Sequence, residues 1–342
     1  MRTRTFLAFV APSLLMMVVF IALPLVSVSW QSLHSTQAMF RQVTVETCSP
    51  GLLRPVCRKE VRPEPIVDAT GRPVTETRFV GWDSYRELLQ PDAVMDVFTQ
   101  GWAGFWHLMS LDFYRALRFT LTFTLATLPF VLGIGLGLAV MVDGAARSMR
   151  GPVIFVSLLP YIITPVIGAL SIRWLFIGDG IMTAALSALF GVKIYMFAEG
   201  WTIELLMLFY RVWHVAPFAF VVFYAGLQTV DRDTLESAIV DGASRFERLR
   251  YVVLPHLAPL VVFVALIHLM DAYRVFEEII GFSSQAHRIS LQWLTFHYLS
   301  PDEAGNRAIS RASASAMLTI VGVVLLLTPL LMRTWRDHRR GA

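Results

Sequence analysis

The sequence predicts an all-α integral membrane protein of about six transmembrane helices, with a long extracytoplasmic loop after the first. Three observations carry this expectation: an apolar excess, several long stretches without a formal charge, and a bias of arginines between alternate connecting segments. Of the 342 residues, 56% are hydrophobic and 16% charged, whereas a soluble globular domain carries about 25% charged residues. One water-soluble core of this size cannot hide so much apolar surface. Lipid must therefore solvate much of the chain.

Thr5–Phe40, Phe119–Val142, Gly151–Ile172, Leu257–Met270 and Ala312–Met332 contain no Asp, Glu, Lys or Arg. Leu205–Val230 is apolar apart from Arg211 and His214. Together they predict helices at about 6–30, 117–142, 152–174, 203–228, 256–280 and 312–333, each near the roughly 20 residues that cross a hydrocarbon core of about 30 Å. The first begins Met-Arg-Thr-Arg like a secretory signal, but its apolar run is long, and Pro24 and Trp30 give no small-residue cleavage site. It is read as a retained span.

Basic residues orient the bundle. With both termini cytoplasmic, Arg2, Arg4, Arg147, Arg150, Arg232, Arg245, Arg248, Arg250, Arg333, Arg336, Arg339 and Arg340 lie inside. The expected organisation is a tail and first span over 1–30 and an extracytoplasmic segment over 31–116. A five-helix core over 117–333, including a cytoplasmic loop at 229–255, and a cytoplasmic tail over 334–342 complete the chain. The net charge is +4, but the arginines are scattered, which gives no nucleic-acid-binding face.

Residues 31–116 begin rich in turn formers, with Pro50, Pro55, Pro63, Pro65, Gly71 and Pro73, which predicts strand or coil. Cys48 and Cys57 both lie here. In an oxidising compartment they pair as a disulfide; two free thiols are the alternative. No histidine or further cysteine joins them at metal-ligand spacing. Ala93–Leu111, interrupted by Asp96, Gln100 and His107 but carrying Trp102, Phe105 and Trp106, predicts an interfacial helix, not a span. Gly133, Gly135 and Gly137 form a small face suited to close helix packing. Pro129, Pro160, Pro165, Pro217 and Pro329 fall inside spans, as tolerated where helices are buried or line a cavity.

The segment between the fourth and fifth spans reads as a helix–turn–helix on the cytoplasmic side. Asp233 is placed to cap its first helix, with Glu236 returning a carboxylate. Gly242 suits the left-handed residue that ends that helix. Ser244 and Glu247 form a second capping box, and Leu254-Pro255 breaks the run before the next span. Leu235, Ala238 and Ile239 share a face, and Phe246, Leu249, Val252 and Val253 form a second stripe. Asp231, Asp233, Glu236, Asp241 and Glu247 outweigh four arginines, which excludes a DNA-reading use. A small rigid element at a membrane surface suits docking to another protein.

Glu236-Ser237-Ala238, Asp241-Gly242-Ala243 and Leu254-Pro255 resemble the "EAA" coupling loop of binding-protein-dependent ABC importer permeases, with Ser237 in place of the usual Ala. Phe79–Tyr85, Phe119–Thr124, Leu159-Pro160, Val212-Trp213 and Ala225–Gln228 extend the resemblance, which is to the maltose and glycerol-phosphate type of carbohydrate permease. The resemblance implies the type I ABC importer permease fold in a bacterial inner membrane. It implies three protein partners: an ABC ATPase dimer, a second and non-identical permease, and an extracytoplasmic solute-binding protein. It also implies a cleft of the ATPase that seats the coupling helix, with ATP and Mg bound by that partner and no cofactor in this chain. One departure is Gly281-Phe282-Ser283-Ser284-Gln285, where the family often carries a Thr-x-Gly-Gly-Pro turn.

No Gly-x-x-x-x-Gly-Lys-[Ser/Thr] phosphate loop, His-Glu-x-x-His or Gly-x-Ser-x-Gly occurs, so no catalytic or metal site is assigned. Ionisable residues within spans face a bundle interior or a water-filled path. Arg211, Trp213 and His214 in the fourth helix and His268, Asp271 and Arg274 in the fifth are therefore candidates for lining a solute path. The structural alternative is local pairing, Asp271 with Arg274 and Arg274 with Glu278. Two other functions compete with the importer reading: a secondary carrier, which predicts inverted repeats, and an intramembrane enzyme using His268 and Asp271.

Overall fold

The computed structural model describes residues 3–49, 56–68, 74–191, 195–302 and 306–341, with backbone alone for 3–8, 37–38, 40, 45–49, 56–63, 65, 337–338 and 340–341. Among the described residues, five helices are long and apolar enough to cross a membrane: Phe9–Ser32, Asp112–Asp143, Gly200–Leu227, Arg245–Tyr273 and Ile309–Arg336. A bent pair, Arg147–Ile162 and Pro165–Phe176, meeting at 93°, is long and apolar enough to make a sixth span if the two helices cross together. In chain order the bent pair is the third span.

Three boundaries differ from expectation. The third span is broken where one helix was expected over 152–174. Pro165 denies Thr164 a helical backbone, and Ile163 and Thr164 are both extended, with ψ of 133° and 139°. The fifth helix starts at Arg245 and runs through Leu254-Pro255 instead of breaking there. A π-turn over Leu249–Val253, closed by Leu254 N–H donating to Leu249 O, adds a residue just ahead of the proline. That insertion accommodates a residue without an N–H. The first span does the same, with a π-turn at Val18–Ala22 followed by Leu23-Pro24. At its other end the fifth helix stops at Tyr273, and a separate short helix, Glu277–Phe282, follows.

The chain divides into two compact units. The first comprises Met1–Asp92 and Thr295–Leu318. It holds four strands, β1 (His34–Ala38), β2 (Phe40–Ser49), β3 (Val56–Pro65) and β4 (Thr75–Phe79), paired antiparallel as β1 with β4 and β2 with β3. Val43, Thr44, Val45 and Thr47 supply the β-branched residues that favour a pleated ribbon, so the strand expectation here holds. Hydroxyl contacts tie the end of the first span to the start of the last: Tyr85 donates to Ser32 Oγ at 2.8 Å, and the Ser84 and Ser310 hydroxyls are 2.5 Å apart. Arg311 pairs with Glu87 at 2.5 Å.

The second unit, Ala93–Leu294 with Thr319–Ala342, carries the main core. Expected as one interfacial helix, 93–111 forms two, Pro91–Gln100 and Trp102–Ser110, of 10 and 9 residues, neither long enough to span. Trp102 and Trp106 are exposed. The fourth span is the most buried of this unit's long helices, at 56% against 28% for the second span and 33% for the fifth. It packs on the second through Val131, Ala139, Ala219, Phe220 and Phe223. Of the three glycines on the second span only Gly135 makes the expected close approach, since a Cβ there would lie 2.6 Å from Ala219 Cβ. A Cβ at Gly133 or Gly137 would meet nothing within 4 Å among the described residues. The bend in the third span lets Pro165–Phe176 cover Glu277–Phe282, where Gly281 sits against Ala169 and Phe282 is fully buried.

Candidate functional site

Two constellations stand out in the second unit, one in the loop between the fourth and fifth spans and one inside the bundle. The loop is built by three local devices. Its first helix, Arg232–Val240, is capped by Asp231, not by Asp233 as expected; the Asp231 carboxylate accepts from Asp233 N–H at 3.2 Å and from Thr234 Oγ at 2.8 Å. Those hydrogen bonds hold its pKa below the ordinary carboxylate range. The helix ends in a Schellman motif: Ala243 N–H donates to Ala238 O at 2.9 Å and Gly242 N–H to Ile239 O at 3.0 Å. Gly242 holds φ +81°, which an L side chain adopts only under strain.

The second helix then opens on the expected capping box. Glu247 N–H donates to Ser244 Oγ at 3.3 Å, and Ser244 N–H donates to Glu247 Oε2 at 2.7 Å. Bonding to Ser244 lowers the Glu247 pKa. The base of the loop is clasped by residues the sequence did not single out. Thr229 Oγ donates to Gly226 O at 2.8 Å, and its lone pair accepts from His256 Nε2 at 3.0 Å. Gln228 Nε2 donates to Asp143 Oδ1 at 2.9 Å, tying the loop to the end of the second span.

On this frame Glu236, Ser237, Asp241 and Pro255 are exposed, while Ala238, Ala243 and Leu254 are half-buried. Of the two apolar stripes, Ile239 and Phe246 are exposed while Leu235, Ala238, Leu249 and Val252 are half-buried and Val253 is buried; outside the stripes Val240 and Tyr251 are exposed, Val240 at 87%. A rigid turn carrying exposed apolar side chains fits a protein partner better than water.

Inside the bundle, Arg211 is the hub. Its Nη1 donates to Glu278 Oε1 at 2.7 Å and its Nη2 pairs with Asp271. The local pairs considered for Asp271, Arg274 and Glu278 are thus replaced by one bridge from the fourth span to both sides of the break after Tyr273. Arg274 instead turns back, Nε donating to Met270 O at 3.4 Å. His268 is buried, and its Nε2 lies 2.9 Å from Thr127 Oγ. Thr127 spends its hydrogen on Phe123 O, so its oxygen accepts and His268 Nε2 carries the proton.

His214 has a different role. Its Nε2 lies 2.9 Å from Ile163 O, and a carbonyl only accepts, so His214 donates to the orphan carbonyl at the break of the third span. Tyr210 OH donates to Pro165 O on the other side of the break, 2.7 Å away. Trp213, between Arg211 and His214 in sequence, is exposed and does not border the cavity beside Arg211. The six candidates therefore do not form one lining: Arg211, Asp271 and Arg274 border a common cavity with Glu277, Glu278 and Gln292. Gln292 has no signal in the sequence, and Glu278 figures there only as a partner for Arg274, because the break after Tyr273 is what brings it to Arg211.

The β2–β3 register sets Cys48 opposite Cys57; the disulfide expected between them lies outside the described residues. No cluster of three or more potential metal ligands occurs among the described residues.

Known proteins match this arrangement. Residues 102–339 match the family described as "Binding-protein-dependent transport system inner membrane component". The trehalose/maltose transport system permease protein MalF of Thermococcus litoralis is 24% identical over 334 residues, 96% of this chain and 93% of that protein. The sn-glycerol-3-phosphate transport system permease protein UgpA of Escherichia coli O157:H7 is 28% identical over 200 residues, 58% of this chain and 60% of its own length. Among solved structures, a chain of a bacterial ABC transporter involved in the import of the acidic polysaccharide alginate superposes with a TM-score of 0.57 at 23% identity, covering 75% of this chain and 96% of that one.

Proposed function

This chain belongs to the family of binding-protein-dependent transport system inner membrane components, and from that premise we propose how it works. It is a multi-pass permease subunit of an ABC importer. With a homologous but non-identical permease it forms the path for a sugar or sugar derivative, delivered by an extracytoplasmic binding protein. The resemblance to transporters of trehalose and maltose, glycerol phosphate and alginate supports a carbohydrate-type solute. ATP and Mg bind to a partner ATPase, and the chain itself is non-catalytic. Both termini lie in the cytoplasm of a bacterium whose inner membrane holds the chain.

The observation that carries this reading is the loop between the fourth and fifth spans. Two capped helices, locked by Gly242 and clasped at their base by Thr229 and His256, present Ile239, Val240 and Phe246 uncovered. Such an element transmits a push without bending. In the proposed cycle, closure of the ATPase dimer moves Glu236–Ala243, and the continuous helix from Arg245 carries that motion into the fifth span. The two permeases then alternate between outward and inward access.

The test is reconstitution of this chain with its partners in proteoliposomes. Uptake that requires ATP, and a crosslink from a cysteine at Ala243 to the ATPase, are expected. Uptake persisting without ATP and without an ATPase partner would sink the proposal.

A further inference from the structure

The last helix, Ile309–Gly341, continues without a break past the end of its apolar run. Ala312–Met332 carries no formal charge, and at about 1.5 Å per residue it fills a hydrocarbon core of about 30 Å. Met332 therefore sits at the core boundary. Beyond it come Arg333, Trp335, Arg336, Arg339 and Arg340, with Asp337 as the one acid. Two of these arginines extend a face that the span itself leaves bare. Val321, Leu325, Met332, Arg336 and Arg339 recur at helical spacing and so share that face. Val321, Leu325 and Met332 are exposed, at 49%, 67% and 53%, which suits side chains that meet acyl chains.

Arg336 and Arg339 are exposed, and neither makes an ion pair among the described residues. The Arg339 guanidinium lies over the Trp335 ring, 3.8 Å from its centroid. The backbone of Arg339 is about 10 Å past Met332 along the axis, but this contact draws its charge back by a turn, toward the membrane. Arg336 follows Met332 by about 6 Å, within a headgroup layer of roughly 5–8 Å on each side of the core. Trp335 is 57% exposed at the depth where indole rings favour the interface. Stacking occupies the face of a guanidinium and leaves its edge N–H groups to donate to a phosphate. We propose that Trp335, Arg336 and Arg339 form a binding site for the phosphate of an anionic phospholipid in the leaflet where the last span ends. Continuity with the bare stripe favours a lipid over a soluble anion, because the cations lie directly below the acyl chains the stripe meets. A zwitterionic lipid gains less, since its own cation opposes the guanidinium groups. The inference needs only that the last helix crosses a bilayer, so it stands apart from the importer reading.

The test titrates phosphatidylglycerol, and separately phosphatidylcholine, onto the purified and delipidated complex, with bound lipid counted by native mass spectrometry. A basic residue beside an anionic surface contributes about fivefold in affinity. The tightest phosphatidylglycerol site should therefore weaken by roughly 30-fold in the double variant Arg336→Gln/Arg339→Gln, with phosphatidylcholine binding unchanged. Trp335→Leu, which removes the ring but no charge, should weaken the same site by a smaller factor. Arg336→Lys/Arg339→Lys keeps the charge without the planar fork and should fall between the native and glutamine forms. All three positions are exposed, so the variants test binding without disturbing a core. Phosphatidylglycerol binding the glutamine variant as tightly as the native complex, or binding no better than phosphatidylcholine, would overturn the inference. Displacement of the lipid by an equal concentration of inorganic phosphate would overturn it in favour of a free anion. Loss of the ATPase or of the second permease from the glutamine variant would do so in favour of a protein partner.

Discussion

Arg211 in the fourth span and Glu278, 67 positions later, meet at 2.7 Å with both side chains almost wholly buried. Neither charge could remain there alone, because burial strips the water that would stabilise it. Arg211→Met should therefore cost about 3–5 kcal/mol by orphaning Glu278. It should lower the thermal midpoint of the purified complex, and Glu278→Gln on that background should restore part of the loss. A single variant that melts with the native protein would refute the hub role.

Gly242 holds φ +81°, and a Cβ added there would meet nothing within 4 Å, so strain and not crowding governs substitution. Gly242→Leu is expected to cost about 1–2 kcal/mol locally, to leave membrane insertion intact and to uncouple ATP hydrolysis from uptake. Gly242→Asn, a residue that tolerates this conformation better, should retain more transport. Normal uptake by the leucine variant would count against a coupling role for the turn.

Asp231 and Glu247 both have pKa values lowered by the caps they form. Folding-linked stability from such groups is fully present above the ordinary carboxylate range and is lost as pH falls through the lowered values. Amide protection over 232–248 should hold from neutrality to about pH 5 and drop below about pH 4. Ser244→Ala should reduce protection of the second helix at neutral pH too. Hydrogen exchange on the reconstituted chain reads both, and a pH-independent loop would contradict the capping account.

The second span offers an internal control. Gly135→Val puts a side chain into Ala219 and should destabilise by about 1–3 kcal/mol. Gly133→Ala faces open space within the chain and should leave its stability within about 0.5 kcal/mol. Thermal unfolding of this chain purified alone makes the comparison; equal effects would contradict the packing described for this helix pair.

Cys48 and Cys57 are directly opposed in the β2–β3 register, which places Cα atoms about 4.5–5.5 Å apart, within disulfide reach. Intact mass of protein prepared without reductant should fall short by two hydrogens and recover them on reduction. Free alkylation of both cysteines in the unreduced, unfolded chain would rule the bridge out.

The sequence alone determined that this chain lives in lipid, where its long apolar helices run and where the helix–turn–helix lies. Those properties are written locally: apolar runs set span length, and the Asp241-Gly242-Ala243 and Ser244–Glu247 patterns set the turn. It misplaced one cap, choosing Asp233, because Asp231 and Asp233 offer the same chemistry and only backbone dihedrals distinguish them. It also placed a break at Pro255, since a proline's missing N–H can be absorbed by a π-turn that no residue pattern announces. Tertiary structure alone decided which buried charges pair. Asp271 and Arg274 looked like neighbours on one helix face, but Arg211 approaches from another span and Glu278 lies beyond a break. An ion pair in a low-dielectric bundle forms where packing brings the groups together, and sequence spacing carries no record of that distance.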